Sequence, residues 1–155
     1  MIAITSIEHN ILYDAPFIAA RISGIICNFN CNNCINESLK NQSYTYMYCH
    51  DIINEVKNNS LNEGVIFGGL EWTHQLNDLK NLVDEAFKNK LKVMIYTGSD
   101  DPGELVKLFG IYEGLYIKYG RYIENSDYTI EYGVKLASKN QKIIRLGGRY
   151  EDNKR

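Results

Sequence analysis

The stretch VIFGGLEWTHQLNDLKNLVDEAFKNKLKVMIYTG, Val65 to Gly98, decides the fold. It opens with the apolar run Val65-Ile66-Phe67, which stops at Gly68-Gly69 and reads as a strand closed by a tight turn. Leu76, Leu79, Leu82, Val83, Ala86 and Phe87 then recur at helical spacing and predict an amphipathic helix. Leu91-Lys92-Val93-Met94-Ile95-Tyr96 is a second strand, closed by Thr97-Gly98. Strand, helix and strand in that order form a βαβ unit, which implies a parallel sheet.

The alternation extends in both directions. Upstream, Phe17 to Ile26 is apolar and β-branched and predicts a buried strand that delivers a cysteine-bearing loop. His50 to Lys57 has apolar positions at helical spacing, and Asn58-Asn59-Ser60 stops it. Downstream, Ser99-Asp100-Asp101-Pro102 signals a helix start, Glu104–Phe109 a short helix and Gly114–Tyr119 a further strand. Val134–Ala137 and Lys142–Leu146 are candidate short strands. In α/β folds of this kind ligands sit beyond the carboxyl ends of the strands. That rim gathers the cysteine loop, the Gly68-Gly69-Leu70-Glu71-Trp72 turn and Thr97-Gly98.

Composition narrows the class. The chain has 155 residues, 45% of them hydrophobic and 23% charged, which suits a single globular domain over residues 1–155. Lys+Arg 17 against Asp+Glu 19 leaves a net charge of −2, not the basic excess of a nucleic-acid binder. No apolar run reaches the ~18–20 residues that span a bilayer. The stretch MIAITSIEHN has neither a basic region nor a long apolar one, so no leader and a cytoplasmic location are expected.

Cysteine usage carries the chemistry. Cys27, Cys31 and Cys34 stand as C-x3-C-x2-C, with Cys49 apart. In a chain that can build a core without cross-links, clustered thiols are metal ligands or redox groups rather than a disulfide framework. The Asn residues between them favour a turn-rich loop that wraps a compact object. Structural zinc takes four protein ligands and would recruit Cys49 or His50. A cubane iron–sulfur cluster held by three cysteines would leave one iron open to a small ligand. Gly68-Gly69 suits close backbone approach to a ligand, with Glu71 a carboxylate for an amine; a plain turn is the simpler reading. Trp72, Cys49 and the alternating Tyr44, Tyr46 and Tyr48 are expected to pack, and His9, His50 and His74 to be ordinary histidines.

The three-cysteine loop resembles the signature of radical S-adenosylmethionine enzymes. Phe67-Gly68-Gly69-Leu70-Glu71 looks like that superfamily's Gly-Gly-Glu turn, with Leu70 inserted. The chain is similar in size and layout to the activating proteins of anaerobic ribonucleotide reductase. The matching features are Ser23-Gly24 ahead of the cysteines, Thr97-Gly98, Ile117–Tyr122 and Ser138-Lys139-Asn140-Gln141. The resemblance implies an incomplete TIM-type barrel of parallel strands with outer helices. It implies a 4Fe-4S cluster on Cys27, Cys31 and Cys34. It places S-adenosylmethionine at Gly68, Gly69 and Glu71, with Thr97 near the nucleoside. The implied activity is reductive cleavage of S-adenosylmethionine to a 5′-deoxyadenosyl radical that makes a glycyl radical on a partner, anaerobic ribonucleotide reductase. A flavodoxin or ferredoxin would supply the electron. The alternatives are a relative acting on another protein or peptide, and a non-catalytic metal-binding or electron-transfer domain that uses Cys49.

Overall fold

Strands covered on both faces must be apolar throughout, and those near the middle of this chain meet that requirement. The computed structural model describes residues 1–27 and 42–147. Within them the strands are β1 (Ile2–Ile4), β2 (Ser6–Ile11), β3 (Ala19–Ser23), β4 (Thr45–Met47) and β5 (Gly64–Gly68). They continue with β6 (Lys92–Tyr96), β7 (Tyr116–Tyr119), β8 (Thr129–Glu131), β9 (Val134–Leu136) and β10 (Lys142–Arg145). The helices are α1 (Cys49–Asn58), α2 (Leu76–Lys88) and α3 (Gly103–Phe109), with a 3-10 turn at Trp72–Gln75 before α2.

Six strands form the main sheet in the order β10-β7-β6-β5-β3-β2. The pairs β3–β5, β5–β6 and β6–β7 are parallel, as the alternation of strands and helices requires. Both outer strands, β2 and β10, pair antiparallel, so the sheet is mixed and has two edges. β2 carries Glu8, His9 and Asn10 between apolar residues and has no continuous apolar run; it forms an edge because an edge strand tolerates polar side chains.

Alternation along the strands sorts side chains to two faces. Ala20, Ile22, Val65, Phe67, Val93, Ile95 and Ile117 pack against the helices, which contribute Ile52, Ile53, Val56, Leu79, Leu82, Val83, Leu105 and Phe109. Ala19, Ile66 and Met94 face the other way, where Val134 and Leu136 of the β8–β9 hairpin cover them with Ile143. One face is therefore clad in helices and the other in a short hairpin.

Three expectations change. The strand predicted over Phe17 to Ile26 forms only over Ala19–Ser23, because at Gly24 the chain bends to give its N–H to Gly68 O at 3.1 Å. Of Tyr44, Tyr46 and Tyr48, Tyr46 lies in β4 and the other two flank it, and they do not pack into the core. Among the described residues β4 pairs only with β1, and these side chains are 49%, 58% and 56% exposed. The parallel sheet acquires antiparallel edges, as described.

Candidate functional site

Ser23 and Gly68 are register partners at the carboxyl ends of β3 and β5, and Tyr96 and Lys118 at those of β6 and β7. The features singled out at the rim thus lie on one line across the sheet.

The start of the cysteine loop is bonded to the Gly-Gly turn. Gly24 N donates to Gly68 O at 3.1 Å, and Glu71 N donates to Ile26 O at 2.8 Å, one residue before Cys27. Gln75 completes the attachment. Its Oε1 accepts from Ile25 N at 3.0 Å, and its Nε2 donates to Ala3 O at 2.9 Å. Trp72 is fully buried below, with Nε1 shared between Ile22 O at 3.1 Å and Gly68 O at 3.2 Å. Cys27 is half-buried at the end of this tethered segment; Cys31 and Cys34 lie outside the described residues.

Glu71 and Thr97 meet. Glu71 is 3% exposed, and its Oε2 accepts from Thr97 Oγ1 at 2.9 Å, Thr73 Oγ1 at 2.7 Å and Thr73 N at 3.3 Å. Its Oε1 accepts from Gly98 N at 2.8 Å. The carboxylate therefore braces the Thr97-Gly98 loop to the turn that holds the cysteine segment. Gly69 has φ +77, and a Cβ built on it would stand 2.3 Å from Ser23 Oγ. Only glycine fits that position, for both reasons.

The helix-free face holds a cavity of about 110 Å³ whose lining includes Gly69, Arg21, Asp14, Tyr96, Lys118 and Lys135. Arg21 is paired with Glu8 at 3.0 Å and Asp14 at 3.2 Å. Lys118 Nζ instead lies 4.4 Å above the Tyr96 ring, and no ion pair neutralises it among the described residues. Burial lowers its pKa to about 8, against a smaller opposing effect of Asp14. Tyr96 donates its hydroxyl to Asp14 O, and burial, then Asp14, raises its pKa. Lys118 belongs to the Ile117–Tyr122 stretch, but its burial beside Tyr96 depends on the register of β6 and β7 and has no sequence signal. A larger depression of about 420 Å³ lies between Lys92, Tyr116 and Arg145, at the opposite end of β6 and β7 from the rim.

Ser138–Gln141 forms a brace. Ser138 Oγ accepts from Ile123 N at 3.0 Å, Asn140 Nδ2 donates to Arg121 O at 2.8 Å, and Gln141 Nε2 donates to Gly120 O at 3.3 Å. These side chains hold the segment after β7. Cys49 packs against the helical core and donates its thiol to Asn81 O at 3.3 Å. Burial, then Glu85 and Asp84, raises its pKa, which disfavours the thiolate a metal requires. His9 bonds Glu55 and Asn62, His50 pairs with the adjacent Asp51, and His74 is exposed. Among the described residues no three His, Cys, Asp or Glu side chains gather as a metal site, and no helix is long and apolar enough to cross a membrane.

The family model for a 4Fe-4S single cluster domain matches residues 19–106, more than half of the chain, from the start of β3 into α3. No curated protein matches.

Proposed function

The chain belongs to the 4Fe-4S single cluster domain family, and we propose that it uses its cluster to cleave S-adenosylmethionine and make a glycyl radical on a partner protein. The cluster would sit on Cys27, Cys31 and Cys34; three thiolates suit an iron–sulfur cubane and leave one iron open. The carrying observation is the bonding of the segment before Cys27 to the Gly68–Glu71 turn, at Gly24–Gly68 and Glu71–Ile26. This keeps the segment that leads into the cluster cysteines beside a glycine turn that can approach a ligand closely.

The residues present suit S-adenosylmethionine at two points. Gly69 leaves a cradle that any Cβ would fill. Lys118, which has no ion pair among the described residues, brings an ammonium to a cavity of about 110 Å³, a volume that suits an amino-acid head group rather than a whole nucleoside. A methionyl carboxylate is the complement of that charge. With the cluster and S-adenosylmethionine bound, one-electron reduction supplies the 5′-deoxyadenosyl radical. The protein's part is to bind, orient and exclude water. Gly69 and Lys118 fix the head group, Thr97-Gly98 borders the site from β6, and Glu71 and Gln75 keep the rim segments together.

We also propose that the open six-stranded sheet is an incomplete TIM-type barrel whose helix-free face is its interior. On this reading anaerobic ribonucleotide reductase is the partner, and a flavodoxin or ferredoxin is the reductant. Anaerobic reconstitution should load about four irons per chain. Reduction in the presence of S-adenosylmethionine should release methionine and 5′-deoxyadenosine. Co-incubation with the reductase should give a glycyl radical signal in electron paramagnetic resonance. A chain that loads iron but never cleaves S-adenosylmethionine would be an electron-transfer domain instead.

A further inference from the structure

We propose that the depression of about 420 Å³ at the far end of the sheet is a second ligand site, and that it takes a nucleoside phosphate. The inference is independent of the functional reading above.

The place is separate from the rim. Lys92 opens β6 and Tyr96 closes it, so about 13 Å of strand lies between the depression and the rim. The volume falls within the range of small-molecule sites. Phe17 and Tyr116 pack with the helix-free face and Phe87 with the helical one, so the depression straddles the end of the sheet. Rings from both faces suit a flat aromatic base.

Charge describes the other half of the ligand. Lys90, Lys92 and Arg145 line the depression against the single carboxylate of Glu113, in a chain whose net charge is −2. Neither lysine has an ion pair among the described residues. Arg145 is the register partner of Tyr116, and its guanidinium carbon stands 5.9 Å over that ring. A guanidinium steadied in this way offers paired N–H donors to a phosphate. Glu113 can accept from ribose hydroxyls.

Lys90 adds a backbone argument. It follows α2 with φ +60, in the left-handed region. Its N–H donates to Phe87 O at 3.0 Å, and Leu91 N donates to Ala86 O at 3.0 Å. This is the bonding of a helix stop at which glycine is usual. The chain instead keeps a lysine there, accepting strain that glycine would avoid, and the lysine brings an ammonium to the depression.

The test uses the full chain, anaerobically reconstituted, in equilibrium dialysis with ATP as the probe. ATP should bind saturably, and adenosine and inorganic triphosphate should each bind about tenfold more weakly. S-adenosylmethionine should not displace it. Lys90→Gly should bind ATP about tenfold more weakly yet melt at the same temperature or higher, because it removes a charge and relieves the φ. A lysine with no ligand to hold would gain stability without that loss. Lys92→Gln should also weaken ATP binding and leave iron content unchanged. No ATP binding at about 1 mM would overturn the proposal. So would displacement by S-adenosylmethionine, inorganic triphosphate binding as tightly as ATP, or wild-type ATP affinity in both lysine variants.

Discussion

Thr97 Oγ1 donates to Glu71 Oε2 at 2.9 Å, joining the loop after β6 to the turn after β5. The adjacent Gly98 N donates to Oε1 at 2.8 Å, so the contact is two-pronged. Hydrogen bonds to an ionised acceptor in a buried site are the strong ones. Glu71 therefore works as a brace between two rim loops, and through its own N–H it also holds Ile26, next to Cys27.

Replacing Glu71 should cost stability first. Glu71→Gln removes the charge and substitutes a donor where only acceptors are wanted. The expected loss is about 2–4 kcal/mol, from bonds to a charged group and from stranded donors. Thermal unfolding followed by circular dichroism should show a melting temperature lower by several degrees. A variant that melts like wild type would remove Glu71 from the brace.

Gly69→Ala should lower both stability and ligand affinity. The left-handed φ of +77 opposes any L side chain, and the new Cβ would collide with Ser23 Oγ at 2.3 Å and Ser23 Cβ at 2.5 Å. A loss of about 1–3 kcal/mol is expected from the backbone alone. Ser23→Gly in the same chain should recover part of the loss, because it relieves the collision and leaves the φ. Urea unfolding of the two variants separates the contributions.

Lys118 should make ligand binding depend on pH. Its folded pKa of about 8 lies below the ordinary lysine value of 10.5, with burial the main cause. A carboxylate is held only while the ammonium is charged, so affinity should fall as pH rises through about 8. Lys118→Met should bind S-adenosylmethionine more weakly at pH 7 and lose that fall. Stability should move the other way. Between about 8 and 10.5 the unfolded chain keeps the proton that the folded chain has released, so Lys118 favours folding increasingly as pH rises through this window. Titrations at pH 7, 8 and 9 on both proteins would check the sign.

The cysteines should separate into two kinds. Cys27→Ala and Cys31→Ala should each abolish iron loading, read from iron content and visible absorbance. Cys49→Ala should leave iron loading intact, because that thiol donates to Asn81 O and its proton is held by burial beside Glu85 and Asp84. Loss of iron in Cys49→Ala would revive the closed four-ligand site.

Local pattern was enough for the elements that bury a face. α2 begins at Leu76 as its apolar spacing requires, and β5 is buried along its length because Val65-Ile66-Phe67 has no polar residue to expose. β1 and β4 were less legible, since each has three residues and depends on pairing with the other across the cysteine loop. Alternation in Tyr44, Tyr46 and Tyr48 points to the strand around Tyr46 but does not say whether a second layer covers the tyrosines; here none among the described residues does.

The sequence by itself determined the βαβ core, the C-x3-C-x2-C loop and its place after the first parallel strand. These follow from side-chain periodicity and thiol chemistry, which are properties of neighbouring residues. Tertiary structure alone decided what the rim side chains do. Glu71 and Thr97 are 26 positions apart in the chain and bonded in space, and Tyr96 and Lys118 become partners only through the register of β6 and β7. Whether a carboxylate is spent depends on which donors the folded strands bring within about 3 Å, and no local pattern encodes that distance.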